Sequence, residues 1–170
     1  MSERLRVVAL ADTHVRRGGT RRLPDTAYAE LARADVILHA GDVVVPELLD
    51  ELGGFAPVHA VLGNNDHELL GVLPERRVDE LAGVRVAMVH DSGATAGRPG
   101  RLARWFPDAD LVVFGHSHQP YDELAPTGAR LVNPGSPTER RRALAHTLSV
   151  VDLVDGVVAS VRLVDLDARP

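Results

Sequence analysis

Asp35-Val36-Ile37-Leu38-His39-Ala40-Gly41-Asp42 carries an apolar run straight onto a carboxylate. Val36–Leu38 predicts a buried strand, and Gly41-Asp42 ends it. Open α/β sheets place their chemistry at the carboxyl ends of strands, which is where Asp42 falls. Four other apolar runs end in the same way. Leu5–Ala11 leads into Asp12-Thr13-His14, and Val58–Leu62 into Gly63-Asn64-Asn65-Asp66. Val84–Val89 meets His90-Asp91, and Leu111–Phe114 meets Gly115-His116-Ser117-His118. Five predicted strand ends thus carry oxygen or imidazole donors.

The intervening segments complete an α/β pattern. Pro24-Asp25 opens a short amphipathic helix over Asp25–Arg33, with Tyr28, Leu31 and Ala32 at helical spacing. Pro46 opens a second helix that Gly53-Gly54 closes. His67–Leu81 reads two ways: its leucines suit a helix, whereas Gly71 and Pro74 interrupt one. Ser92–Gly100 reads as loop, and Leu102, Trp105 and Phe106 as a helical face. Ala129–Val132 is a strand that turns at Asn133-Pro134-Gly135-Ser136-Pro137. Thr147–Val154 and Val157–Leu163 alternate about Asp155-Gly156, the signature of a hairpin. No linker divides the chain, so the expectation is one mixed α/β domain over residues 1–170.

Composition narrows the chemistry. The chain has no cysteine, which excludes disulfides, thiolate metal sites and cysteine nucleophiles. All 19 basic residues are arginine, which excludes Schiff-base and P-loop lysine chemistry. A net charge of −5 and the lack of an aromatic-basic stripe argue against binding extended nucleic acid. No apolar run reaches membrane-spanning length, and the amino terminus lacks a signal-peptide pattern. A cytoplasmic protein is expected.

Asp12 and His14 are two residues apart, as are His116 and His118. Strand alternation would point the members of each pair the same way. With Asp42, Asn64 and His90 they form a set of seven nitrogen and oxygen donors. Such a set favours borderline divalent metals over magnesium alone. Each motif is weak by itself, because Gly-Asp is usually a turn or helix cap and a lone histidine usually a satisfied polar residue. Their recurrence at five strand ends argues for a metal site, with Asp42 shared between two ions.

Asp-x-His, Gly-Asp, Gly-Asn-x-Asp, a strand-end His and Gly-His-x-His, in this order, resemble the calcineurin-like metallophosphoesterase superfamily. The small size and Asn133-Pro134-Gly135-Ser136-Pro137 resemble its compact bacterial and archaeal phosphodiesterase branch. The resemblance implies a four-layer α-β-β-α sandwich, two mixed β-sheets flanked by helices. It also implies two divalent ions, Mn2+ first, with Ni2+, Fe2+, Zn2+ or Co2+ able to replace it. One ion would lie on Asp12, His14, Asp42 and His118, the other on Asp42, Asn64, His90 and His116. A hydroxide bridging the ions would attack phosphorus in line, with Asp42, Asn64 and His90 central to catalysis.

Two positions depart from the family pattern. Asn65 stands where many members have a histidine thought to assist the leaving group, and an amide cannot act as a general acid. Asp91 stands where glycine is common; it could orient a ligand histidine, and a loop carboxylate is the slightly favoured reading. Arg16, Arg140 and Asn65 are the candidates for holding substrate, the arginines by a bidentate grip on a phosphate oxygen. His39 reads as a core residue or a support for the site. The expected substrate is a small phosphate ester, a diester before a monoester, and homo-oligomers are common among members of this size. The competing reading is a protein-binding scaffold of the same fold, from which a complete ligand set would distinguish an enzyme.

Overall fold

The computed structural model describes residues 2–168. Its strands are β1 (Arg4–Leu10), β2 (Val36–His39), β3 (Val58–Ala60), β4 (Arg76–Leu81), β5 (Val84–Val89), β6 (Leu111–Val113), β7 (Tyr121–Leu124), β8 (Arg130–Asn133), β9 (Thr147–Val154) and β10 (Val157–Asp165). Its helices are α1 (Asp25–Leu31), α2 (Pro46–Gly53) and α3 (Arg98–Trp105). The strands form two five-stranded sheets, ordered β10-β9-β1-β2-β3 and β4-β5-β6-β8-β7.

Each sheet combines a parallel set of three strands with antiparallel strands, on one side of that set in the first sheet and on both sides in the second. β1, β2 and β3 run parallel in the first, and β5, β6 and β8 in the second. The carboxyl ends of each parallel set therefore lie at one edge of its sheet. All five predicted donor loops leave from these six strands.

Side-chain alternation explains why the central strands read as unbroken apolar runs. In β1, Val7 and Ala9 face a core shared with Val86, Met88 and Val113 of the second sheet. Val8 and Leu10 face the other way, packing with Ala27 and Leu31 of α1 and Leu48 and Leu52 of α2. On the outer face of the second sheet, Ala87, Val89 and Val112 pack with Leu102 of α3. Both faces of both sheets are buried over their centres, which requires apolar residues at consecutive positions. The layers are therefore α-β-β-α, as expected.

Three local expectations need correction. His67–Leu81 resolves into a 3-10 turn at His67–Leu69 followed by β4. Strand β7 has no counterpart among the elements the sequence pattern predicts. Both are marginal strands, and their solvent-facing positions (Val78, Leu124) carry no alternation to mark a core. Helix α3 begins at Arg98, inside the predicted loop, because Gly97 takes φ +70° and Pro99 suits a first helical turn. No helix among the described residues is long and apolar enough to cross a membrane.

Candidate metal centre

Asp12, His14, Asp42, His90 and His118 converge and are all buried, while Asn64 and His116 close the group from its exposed side. Strand alternation is not what brings them together. β1 ends at Leu10 and β6 at Val113, before the paired ligands begin. Asp12, His14, Asp42, His116 and His118 all adopt left-handed backbone conformations, with φ between 46° and 72°. Such conformations are unfavourable for non-glycine residues and persist where surrounding contacts impose them.

Those contacts are backbone hydrogen bonds between loops. The Asp12 amide donates to Gly41 O at 2.9 Å, and the His14 amide to Asp42 O at 3.0 Å. Asp66 fixes the next loop: its carboxylate accepts from the amides of Asp42, Gly63 and Val44 at 2.9, 2.6 and 2.7 Å. Gly41 and Gly63 leave the space for this meeting. A Cβ on Gly63 would lie 2.2 Å from the Asp42 nitrogen, and one on Gly41 2.6 Å from His90 Nδ1. The role of Asp66 was not read from the sequence, although Gly63-Asn64-Asn65-Asp66 was.

The histidines are oriented for ligation. His118 Nδ1 donates to Glu139 O at 2.5 Å, and His90 Nδ1 to Ala40 O at 2.7 Å. Each ring therefore turns its Nε2 inward, the arrangement that metal-binding histidines adopt. His118 Nε2 lies 3.2 Å from His14 Nε2. Asn64 Oδ1 stands 3.0 Å from His90 Nε2 and 3.1 Å from His116 Nδ1.

Two carboxylates lie among these nitrogens. Asp12 Oδ1 is 4.0, 3.8 and 3.6 Å from the Nε2 atoms of His14, His90 and His118. Asp42 Oδ2 is 3.4 Å from both His14 and His90, a bridging position. Asp12 also belongs to both compact donor groups, Asp12-His14-His118 and Asp12-Asp42-His90. Position alone thus offers two shared carboxylates where the sequence suggested one.

Asp12 provides the test of fit. It is fully buried, and neither carboxylate oxygen has a hydrogen-bond partner among the described residues. Burial pushes this carboxyl up to about 7, despite the opposing pull of His90. An ionised carboxylate left so would be costly, and a cation at the facing nitrogens removes that cost. Asp42 differs: burial raises it, but His90 and the Asn65 backbone and side chain outweigh this and hold it below the usual carboxylate range. Burial lowers His14 and His118, keeping their rings neutral and able to coordinate. The donor set fits a divalent cation, and the two compact groups that could hold one are Asp12-His14-His118 and Asp12-Asp42-His90, with Asn64 and His116 beside them.

The remaining expectations divide. Asn65 donates its amide to Asp42 Oδ2 at 2.8 Å and its backbone N–H to Oδ1 at 2.9 Å, so it orients a candidate ligand. His39 is fully buried; its Nδ1 accepts from the Gly41 amide at 3.2 Å and its Nε2 donates to Thr13 Oγ1 at 3.0 Å. Asp91 accepts from the Gly93 amide at 2.7 Å and reaches His116 Nε2 only at 4.0 Å, which makes it a loop carboxylate. Arg16 lines a basin beside His14. Arg140 turns its guanidinium back to Ala143 O at 2.9 Å, and it is its neighbour Arg141, not the expected Arg140, that lines the basin.

The fold and this centre define a two-sheet α/β protein with a candidate metal site at the carboxyl ends of its parallel strands. The calcineurin-like phosphoesterase superfamily domain matches residues 5–156, and the chain belongs to that family. A probable metallophosphoesterase from Methanothermobacter thermautotrophicus is 34% identical over 135 residues, 78% of this chain and 77% of that protein. Another, from Methanocaldococcus jannaschii, is 32% identical over 153 residues, 86% of this chain and 76% of its own length. Vacuolar protein sorting 29 from Cryptosporidium parvum has the same fold, with a TM-score of 0.72 and 25% identity over 95% of this chain and 97% of that one.

Proposed function

We propose that this protein is a phosphodiesterase that uses two divalent metal ions, Mn2+ foremost. The observation that carries the reading is Asp12, a buried carboxylate with both oxygens unpartnered, facing three imidazole nitrogens within 4.0 Å. Bound ions would supply a water-derived nucleophile near neutral pH and neutralise charge on the phosphoryl oxygens. The chain supplies the geometry. Glu139 O and Ala40 O hold His118 and His90 with Nε2 inward, and Asn65 holds both oxygens of Asp42. Asn65 cannot deliver a proton to a departing alkoxide, so the reading favours esters whose leaving groups depart without general-acid help.

A protein-binding scaffold takes its support from the fold likeness to vacuolar protein sorting 29. The complete donor set favours catalysis over it. The test uses metal-free protein with Mn2+, Ni2+, Zn2+ or Mg2+ added singly, assayed on bis(p-nitrophenyl) phosphate and p-nitrophenyl phosphate. Metal-dependent turnover that prefers the diester and disappears in His90→Ala is expected. A folded protein inactive with every metal would overturn the enzymatic reading, and preference for the monoester would overturn the diesterase.

A further inference from the structure

The candidate centre lies between two basins of opposite character. On the His116 side, a cavity of about 410 Å³ has Leu62, Leu70 and Val89 in its wall, with Glu75 beside Arg76. The Arg76 guanidinium there lies over the Trp105 ring, 4.2 Å from its centroid. On the His14 side, a cavity of about 490 Å³ is lined by Arg16, Arg21 and Arg141 against a single carboxylate, Glu139.

The three arginines are not equivalent. Arg21 pairs with Glu139 at 3.4 Å and donates to His14 O at 3.3 Å, so it forms part of the wall. Arg16 and Arg141 have no ion-pair partner among the described residues, and their guanidinium groups are free to take an anion. Arg141 is also the most constrained. The Ala143 amide donates to Arg140 O at 2.8 Å and the Arg140 guanidinium to Ala143 O at 2.9 Å, closing a turn in which Arg141 takes φ +49°. That turn is tied to the ligand loops. Thr138 Oγ1 donates to Thr13 O at 2.6 Å, and Ser136 Oγ donates to Asp12 O at 2.8 Å. A strained backbone held from both ends presents one arginine to the basin that His14 also lines.

We propose that Arg16 and Arg141 form a second anion subsite, and that the substrate is a phosphodiester with a further carboxylate or phosphate on one ester arm. This rests on the phosphodiesterase reading. The scissile phosphate occupies the centre, the anionic arm crosses His14 into the arginine basin, and the other arm lies over Leu70 and Val89. Guanidinium groups with no protein partner can bind an oxyanion through paired charge-assisted hydrogen bonds, whereas a basic face without a formed subsite would discriminate little between arms.

The test compares three p-nitrophenyl phosphodiesters on Mn2+-loaded protein, with ethyl, 2-carboxyethyl or 2-phosphonoethyl as the second arm. The anionic arms should raise kcat/KM about tenfold or more over ethyl, mainly through KM. The better of the two identifies the group. In Arg141→Ala this ratio should fall to near one, in Arg16→Ala it should fall part of the way, and Arg141→Lys should recover some of it. Equal efficiency on all three esters, or a preference that survives Arg141→Ala, would overturn the subsite while the phosphodiesterase stands. Turnover of none would overturn the phosphodiesterase and the substrate assignment together. A separate readout needs no turnover: inorganic phosphate titrated into metal-free protein should shift the arginine Nε–H resonances of Arg16 and Arg141 saturably, and Arg141→Ala should abolish that saturation. Absence of saturable shifts in the wild type would overturn the subsite directly.

Discussion

The two halves of the candidate centre are built from similar donors but differ in their surroundings. Asp12, His14 and His118 are buried, and Asp12 has no hydrogen-bond partner among the described residues. Asn64 and His116 are exposed, and Asn64 Oδ1 already faces two imidazoles. The buried half therefore depends on a cation to satisfy it, whereas the open half can satisfy itself with neighbours and water. On the proposed reading, a cation in the buried half would stabilise the fold, and one in the open half would lie where substrate can reach it.

Removing a ligand from each half should expose this difference most strongly. His118→Ala should lower Mn2+-dependent diester turnover roughly a thousandfold, and His116→Ala by roughly ten- to a hundredfold. Steady-state kinetics with metal titration would measure both, and equal losses would break the distinction.

The next largest effect concerns acid stability, through the neighbouring His39. Burial pushes its imidazole from 6.5 down to about 3. Its pKa is therefore lower in the folded state than in the unfolded, so the unfolded chain binds the extra proton between these values. Stability should fall as pH drops from 6.5 toward 3, by roughly 3–5 kcal/mol from this group. His39→Gln, which can still accept from Gly41 and donate to Thr13, should flatten that limb in urea melts across the range.

Asp12 should behave with the opposite sign. Its folded pKa of about 7 lies above the ordinary 3.8, so metal-free protein should lose stability as pH rises through this window. Asp12→Asn should raise the stability of metal-free protein at neutral pH by about 1–3 kcal/mol. It should also remove most of the stabilisation that Mn2+ gives the wild type. Melting curves with and without metal would show both, and a destabilised Asp12→Asn would contradict the unsatisfied-carboxylate account. The smallest effect is expected at Asn65, which orients Asp42. Asn65→Ala should cost about tenfold in kcat/KM with the fold unchanged.

How much could be read from sequence follows from burial. Val7–Ala11 and Val36–Leu38 are buried on both faces and announce themselves as apolar runs, so the parallel strands and the residues that end them were legible. β4 and β7 lie at sheet margins with much of their length in water, and Arg76-Arg77-Val78-Asp79 carries no pattern that water would not also permit. All seven ligand candidates were identifiable by type and place. Their convergence was not explained by strand alternation, because left-handed turns at Asp12, His14 and Asp42 depend on contacts between loops distant in sequence. The same cause hid Asp66, whose partners are two amides on the loop after β2 as well as one on its own loop. It also hid Arg141: Arg140, Arg141 and Arg142 are chemically alike, and only the turn closed at Ala143 selects one of them.

The central claim is a two-ion centre with one buried and one open half, and anomalous diffraction from crystals saturated with Mn2+ tests it most directly. Two peaks are predicted, one among Asp12, His14 and His118, the other among Asn64, His90 and His116, with Asp42 between them. A single peak, or none within this cluster at saturating metal, would contradict the account.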